Sequence, residues 1–162
     1  MLVTRYQESV RRVTRAVTGN AADGDDAAQE AFLSALDRIE TFDRSRPFGP
    51  WLLRVASNAA IDMVRRRAVR AAVPLEPYVA ATGPGPAADA ESAEIRAELA
   101  AALAQLPPRQ RAAVTLFDVE GYAHAEIAAM LGVPEGTVRS DVFHARRTLR
   151  RALRVYGPEA EE

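Results

Sequence analysis

The chain has 162 residues, 48% of them hydrophobic, with no cysteine and a formal net charge of −1. These figures exclude a disulfide scaffold, thiolate chemistry and the usual zinc sites, and they leave room for one ordinary domain or two small ones. No apolar run approaches the roughly twenty residues that a bilayer demands, and Arg5, Arg11 and Arg12 interrupt any signal-like N-terminal segment, so the sequence predicts a soluble, cytoplasmic chain with no membrane insertion.

All 21 basic residues are arginine, against 22 acids, and the charges fall in blocks. Residues 23–40 are acidic, 48–71 basic, 76–98 acidic and 139–154 basic, and the tail from Glu159 is acidic again. Opposite blocks suggest a compact free state with the two ends of the chain folded on one another. The near-cancelled long-range field predicts weak DNA binding by the chain alone. Strand signals are nearly absent, so the expected fold is all-α, with two small helical domains joined by a flexible Pro/Gly-rich linker.

In chain order, residues 2–17 form an amphipathic helix that Gly19 and Asn20 break. A second helix is expected from Asp25 or Asp26 to about Ile39, with its early acids complementing the helix dipole. A third begins near Pro47 or Pro50 and continues through Arg67. Its apolar set is Trp51, Leu52, Val55, Ala56, Ala59 and Met63, and its polar stripe is Arg54, Asn58, Asp62 and Arg65 or Arg66. Trp51 shares the stripe of Val55 and is assigned to the core rather than to base stacking. Pro74, Pro77, Pro84 and Pro86 with Gly83 and Gly85 then mark a connection with no helical or strand period. The boundaries read 1–71 for the first domain, 72–93 for the linker, 94–155 for the second domain and 156–162 for an acidic tail.

Within the second domain, residues 125–131 form a short helix, Gly132 and Val133 a turn, and Pro134 opens a helix running to about Arg154. That is a helix-turn-helix. Val138, Val142, Ala145 and Leu149 share one buried stripe, so Gly136, Thr137, Ser140, Phe143, His144 and Arg147 point outward, with Arg139 on one flank and Asp141 on the other. Arg139, Arg146, Arg147, Arg150, Arg151 and Arg154 supply the positive charge that phosphate contacts require, or equally the solvated side of a surface helix. Phe143 suits a thymine methyl or a neighbouring helix. Gly136 allows close approach of the backbone to a phosphate or base edge.

Two segments in order, DGDDAAQEAFLSAL with FGPWLLRVASNAAIDMVRRR, and LPPRQR with EIAAMLGVPEGTVRS and HARRTLR, resemble regions two and four of the extracytoplasmic-function group of bacterial sigma factors. The resemblance covers nearly all of the chain outside the linker and tail. It implies a non-enzymatic transcription initiation factor, without cofactors or metal, that directs core RNA polymerase to promoters and assists melting. Asp25, Asp26, Gln29 and Glu30 would bind the clamp helices of the β′ subunit, and region four would meet the β flap. The loop 41–48 with Arg44 and Arg46, and the stripe Arg54, Asn58 and Asp62, would read the minus-ten element as a separated strand; Arg65, Arg66 and Arg67 would hold its phosphates. Glu135, Gly136, Thr137, Arg139, Ser140, Phe143, His144 and Arg147 would face the minus-thirty-five element. An anti-sigma factor is the implied regulator of a monomeric chain. Two features depart from the family pattern: Asp141 and His144 stand where basic residues are common, which predicts weaker phosphate binding or a different preferred sequence, and few residues precede Leu2.

Two other classes compete. A dimeric helix-turn-helix repressor explains the second domain but leaves the acidic second helix and the arginine-ended third helix without a role. A magnesium-dependent nucleic-acid hydrolase would draw on the carboxylates of Asp25, Asp26 and Glu30.

Overall fold

The computed structural model of the chain describes residues 2–70 and 90–154, and among them every regular element is helical. Most of the expected linker and all of the acidic tail lie outside the described residues. Three helices make the first half: α1 (Leu2–Thr18), α2 (Ala21–Arg38) and α3 (Phe48–Arg70). Four make the second: α4 (Ala90–Ala104), α5 (Pro108–Val114), α6 (His124–Leu131) and α7 (Glu135–Ala152). Helix α4 begins at Ala90, inside the span expected for the linker.

Helix α1 presents Val10, Val13, Thr14 and Val17 on one stripe, all fully buried. Thr14 and Thr18 return their hydroxyls to the carbonyls of Arg11 and Thr14, at 3.2 and 2.8 Å, so burial leaves neither unpaired. Gly19 ends the helix in a left-handed conformation, φ 81°, donating its N–H to the Arg15 carbonyl. Helix α2 then starts at Ala21, ahead of the expected Asp25 or Asp26. Asn20 is its cap and not merely a breaker: its side-chain oxygen accepts from the Asp23 N–H at 2.7 Å and its amide donates to the Asp23 carboxylate.

Small residues set the spacing of this bundle. Gly24, Ala27, Ala28, Ala31 and Ala35 line the buried face of α2. A Cβ at Gly24 would lie 2.7 Å from Cα of Arg15 and 2.9 Å from its N, so the two helices cross backbone to backbone there.

Helix α3 is buried on two sides. Leu52, Leu53, Ala56, Ala60 and Ile61 are core, together with Ser57, whereas Trp51, Val55, Ala59 and Met63, expected in the core stripe, are half-buried. The single-stripe expectation missed this because α6 packs on a second face of α3. Ile127 and Met130 of α6, Val138 and Val142 of α7, and Ala112, Ala113 and Leu116 belong to the same continuous apolar cluster as α1, α2 and α3. The two halves are therefore packed on one another, and apolar burial, rather than the opposite charge blocks, is the main cement.

Arg111 is the polar centre of that junction. It is 4% exposed and donates to the carbonyls of Leu106 at 2.9 Å, Ala104 at 3.3 Å and Val17 of the other half at 2.5 Å. Burial lowers the pKa of the guanidinium. After α5 the chain widens into a π turn over Thr115–Val119, closed by the Glu120 N–H donating to the Thr115 carbonyl. That turn delivers Glu120 to Arg12 of α1 at 2.9 Å, while Tyr122 lies against buried Gly49, whose Cβ, if present, would be 3.0 Å from the Tyr6 ring and 3.2 Å from the Tyr122 hydroxyl.

Gly24→Ala is expected to destabilise the chain by about 1–3 kcal/mol through overpacking against the α1 backbone, more than the roughly 1 kcal/mol that alanine gains over glycine within a helix. A thermal melt followed by circular dichroism checks it; an unchanged midpoint would mean that α1 and α2 part without cost.

Candidate nucleic-acid interface

The acidic end of α2 does not present all of its expected residues alike. Asp25 is clamped by Arg15, with Nε to Oδ1 at 2.9 Å and Nη2 to Oδ2 at 3.1 Å, so its charge is already partnered inside the first half. Asp26, Gln29 and Glu30 are exposed and line a shallow depression with Leu33, Ser34 and Asp37. Leu33 is 58% exposed and Leu36 64%. Sequence reading missed Leu33, although it stands three residues after Glu30, where one helix face continues. The surface is an acidic face with an apolar centre, suited to a basic helix with aliphatic side chains.

Helices α2 and α3 are joined by an exposed loop pinned at both ends by rings. Phe42 lies 5.0 Å from Trp51 and 5.5 Å from Phe48, centre to centre, and Phe48 lies 5.5 Å from Tyr6. Trp51 is thus half core and half support for the loop. Between the rings, Asp43 accepts from both the N–H and the hydroxyl of Ser45, at 2.9 and 2.6 Å, closing a tight turn and lowering the pKa of its carboxyl. Arg44 and Arg46 project from this turn, with Arg46 3.6 Å from Asp43.

The polar stripe of α3 is divided. Arg54 and Asp62 are exposed, but Asn58 is half-buried and donates to the Met130 carbonyl of α6 at 3.4 Å. Arg65, Arg66 and Arg67 all reach solvent; Arg66 lies 3.9 Å from Glu30, and Arg67 is paired with Asp23. Of the three, then, Arg67 is held most closely by its own half.

On α7 the geometry separates inside from outside. Val138, Val142 and Ala145 are buried and Leu149 half-buried, as the spacing predicts. Glu135, Gly136, Arg139, Ser140, Phe143, His144 and Arg147 are exposed, and Thr137 is half-buried. Among the described residues nothing would meet a Cβ at Gly136, so this glycine leaves open space at the helix start. Arg139 pairs with Glu135 one turn back, at 2.7 Å.

Asp141 is a correction. Expected on the outer flank, it is 4% exposed and takes two hydrogen bonds from Arg109, the shorter at 2.6 Å, which raise the arginine's pKa. The acid at this position therefore ties α7 to α5 and takes no part in the outward surface. The α7 spacing alone could not reveal it, because its partner lies on another helix.

A groove runs along α7, with Val142, Leu149 and Leu153 in its wall beside Phe143, Arg147, Arg150, Arg151 and Arg154, and with Phe117 and His124 also lining it. Phe117 and His124 stack with ring centres 4.4 Å apart and planes 8° from parallel. Arg146 covers the Phe117 ring at 4.9 Å and donates to Asp118 at 2.9 Å, so this member of the basic run ties α7 to the Thr115–Val119 turn at the surface. The groove thus joins an apolar wall to several arginines, and the exposed Phe143 ring and those arginines form a surface suited to the polyanionic edge of a duplex. No group of His, Asp or Glu side chains able to hold a metal ion occurs among the described residues.

With this geometry in hand, residues 2–70 match the family model for Sigma-70 region 2, and residues 96–149 that for Sigma-70 region 4. The chain is 37% identical over 164 aligned positions to the ECF RNA polymerase sigma factor SigE of Mycolicibacterium smegmatis, covering 99% of this chain and 63% of that protein's length. It is 38% identical over 154 positions to the ECF RNA polymerase sigma factor SigM of Mycobacterium tuberculosis, covering 94% and 75% respectively. Among solved structures, CnrH in complex with the cytosolic domain of CnrY aligns with a TM-score of 0.66 at 27% identity, over 96% of this chain and 87% of that one. Bartonella quintana RpoE, solved with the anti-sigma factor NepR, shares the fold with a TM-score of 0.73 at 21% identity, over 94% of both chains.

Arg109→Gln should cost about 1–3 kcal/mol by leaving the Asp141 carboxylate buried without its partner, and Asp141→Asn is expected to cost less than Arg109→Gln. Urea unfolding of the two variants checks the order; equal stability with the parent chain would place Asp141 back on the surface.

Proposed function

Starting from the fact that the chain belongs to the ECF RNA polymerase sigma factors of the Sigma-70 family, we propose that it binds core RNA polymerase, directs it to specific promoters and helps open the minus-ten region. The observation that carries this reading is the exposed face of α2, where Asp26, Gln29 and Glu30 surround Leu33. A stand-alone DNA binder has no use for such a face, whereas a protein that docks on a basic clamp helix does. The docking set is Asp26, Gln29 and Glu30 with Leu33 at the centre; Asp25 orients the face through Arg15.

Promoter opening then needs no covalent chemistry. The turn holding Arg44 and Arg46 is fixed by the Phe42, Phe48 and Trp51 rings, and Arg54, Asn58 and Asp62 follow at one-turn spacing on α3. Amide, carboxylate and guanidinium groups so placed read the edge of a base only once it has left the stack. Binding the separated strand supplies the free energy of melting, and Arg65 and Arg66 neutralise its phosphates. The outward residues of α7, from Glu135 to Arg147, enter the major groove of the minus-thirty-five element, with the Arg109–Asp141 pair holding the helix in register. A β-flap contact from region four, an anti-sigma regulator, a cytoplasmic location and a monomeric state in the free protein complete the reading. No helix among the described residues is long and apolar enough to cross a membrane.

Co-elution with core RNA polymerase on size-exclusion chromatography tests the docking face. Asp26→Arg/Glu30→Arg should abolish it with the helical spectrum unchanged, whereas Asp25→Arg should chiefly lower the melting temperature by placing a second cation beside Arg15. Retained co-elution of the double variant would remove α2 as the docking face, and absence of co-elution by the parent chain would remove the sigma reading itself.

In promoter binding by the holoenzyme, Arg147→Ala should reduce the slope of log affinity against log salt by about 1, as expected for one lost phosphate contact. An unchanged slope would make Arg147 a bystander.

A further inference from the structure

Among the described residues three carboxylate–arginine pairs involve α7, and they do different things. Asp141 is tied to Arg109 of α5, and Arg146 to Asp118 of the Thr115–Val119 turn, so each of these pairs fixes the helix to its surroundings. Glu135 and Arg139 fix it to nothing else. Both stand on the outward face of α7 one turn apart, with side chains 45% and 65% exposed, and Oε1 of Glu135 accepts from Nη2 of Arg139 at 2.7 Å. An exposed pair of this spacing adds little to a helix already held by Val138, Val142 and the Arg109–Asp141 bonds. The helix dipole favours an acid in the first turn, but it does not require that acid to take an arginine's donor. Beside the pair lies Gly136, where a Cβ would meet nothing among the described residues, so the edge of a duplex can come close to both charges.

We infer that Glu135 is a positioning residue that decides how Arg139 meets DNA: it withholds the guanidinium from the phosphates and directs it to the edge of a base. The inference rests on the sigma reading above and deepens it. A lone arginine at the rim of a major groove is drawn to the nearest phosphate, which is the same in every sequence. Paired, the two side chains carry no net charge, and a phosphate that approaches Arg139 also approaches the Glu135 carboxylate. A guanine offers the guanidinium two acceptors, N7 and O6, on the groove floor and away from the phosphates. The carboxylate needs a donor there, and the major groove supplies one as the amino group of cytosine or adenine. The pair therefore favours a guanine beside an amino-bearing base. It disfavours a thymine at the place facing Glu135, where two acceptors would oppose each other, so part of the discrimination is repulsive.

Two measurements test the inference. On a duplex of random sequence, fluorescence anisotropy of the free chain across a salt series should show Glu135→Ala binding severalfold more tightly than the parent at low salt. Its slope of log affinity against log salt should steepen by about 1, the mark of one gained phosphate contact. The double variant Glu135→Ala/Arg139→Ala should return to the parent slope. A pair that only stabilised the helix would lower the Tm slightly in Glu135→Ala and leave the slopes as they were. In the holoenzyme, selection from duplexes randomised through the minus-thirty-five element should give the parent chain a guanine beside a cytosine or an adenine, the recovered base telling those two apart. Glu135→Ala should lose that preference by about tenfold. An unchanged slope in Glu135→Ala, weaker binding of random duplex by that variant, or a selected element indifferent to the substitution would each overturn the inference. Failure of the parent chain to co-elute with core would overturn the sigma reading, and the salt slopes of the free chain would still decide whether Glu135 withholds Arg139 from phosphates.

Discussion

A guanidinium that bonds to no carboxylate among the described residues holds the centre of this molecule. Arg111 is buried, yet its hydrogen-bond partners are the carbonyls of Ala104, Leu106 and Val17. Two of these belong to the last turns of α1 and α4, where carbonyls have no successor turn to bond and the helix dipole is negative. One positive group thus satisfies oxygens from two helix ends in different halves of the chain. Burying it is tolerable only because the donors find acceptors, and each acceptor fixes a segment. The position of α5 against α1 follows, and with it the position of the helix-turn-helix against region two.

Much of this was legible in the sequence, and what escaped it did so for definable reasons. The 3.6-residue spacing of Val138, Val142 and Ala145 identified the buried side of α7 and left the outward set nearly as found. Spacing fails where a helix has two neighbours. Helix α3 is packed by its own domain and by α6, so the buried positions include Leu53, Ser57, Ala60 and Ile61, which a single stripe does not contain. It fails again for charges, because sign and exposure are separate properties. Asp141 and Asp25 read as surface acids in one dimension, and each has an arginine waiting on a different helix. Asn58 belongs to the same class of miss, its partner being a backbone carbonyl 72 residues away.

The candidate surfaces share an economy of construction. Each is an exposed set of side chains held from behind by bonds that the set itself does not make: Arg15 to Asp25 behind the α2 face, the Phe42–Phe48–Trp51 rings behind the loop, and Arg109 to Asp141 behind α7. Rigid backing lets a small exposed residue set act with little loss of conformational freedom on binding. It also explains why several of the charges that look most available in the sequence are spent: they are the braces.

The π turn at Thr115–Val119 acts on the whole chain as a phase shift. One extra residue in a helical turn rotates everything downstream by about a quarter of a circle or more. In this phase Asp118 faces Arg146 on α7 and Glu120 faces Arg12 on α1, so two carboxylates only two residues apart clasp opposite neighbours. Removing one residue from that turn would leave the composition, the charge and the apolar content almost untouched while turning both carboxylates away from their partners. The alignment of the two halves is in this sense a matter of counting: it is written in the length of a five-residue turn as much as in the identity of any residue within it.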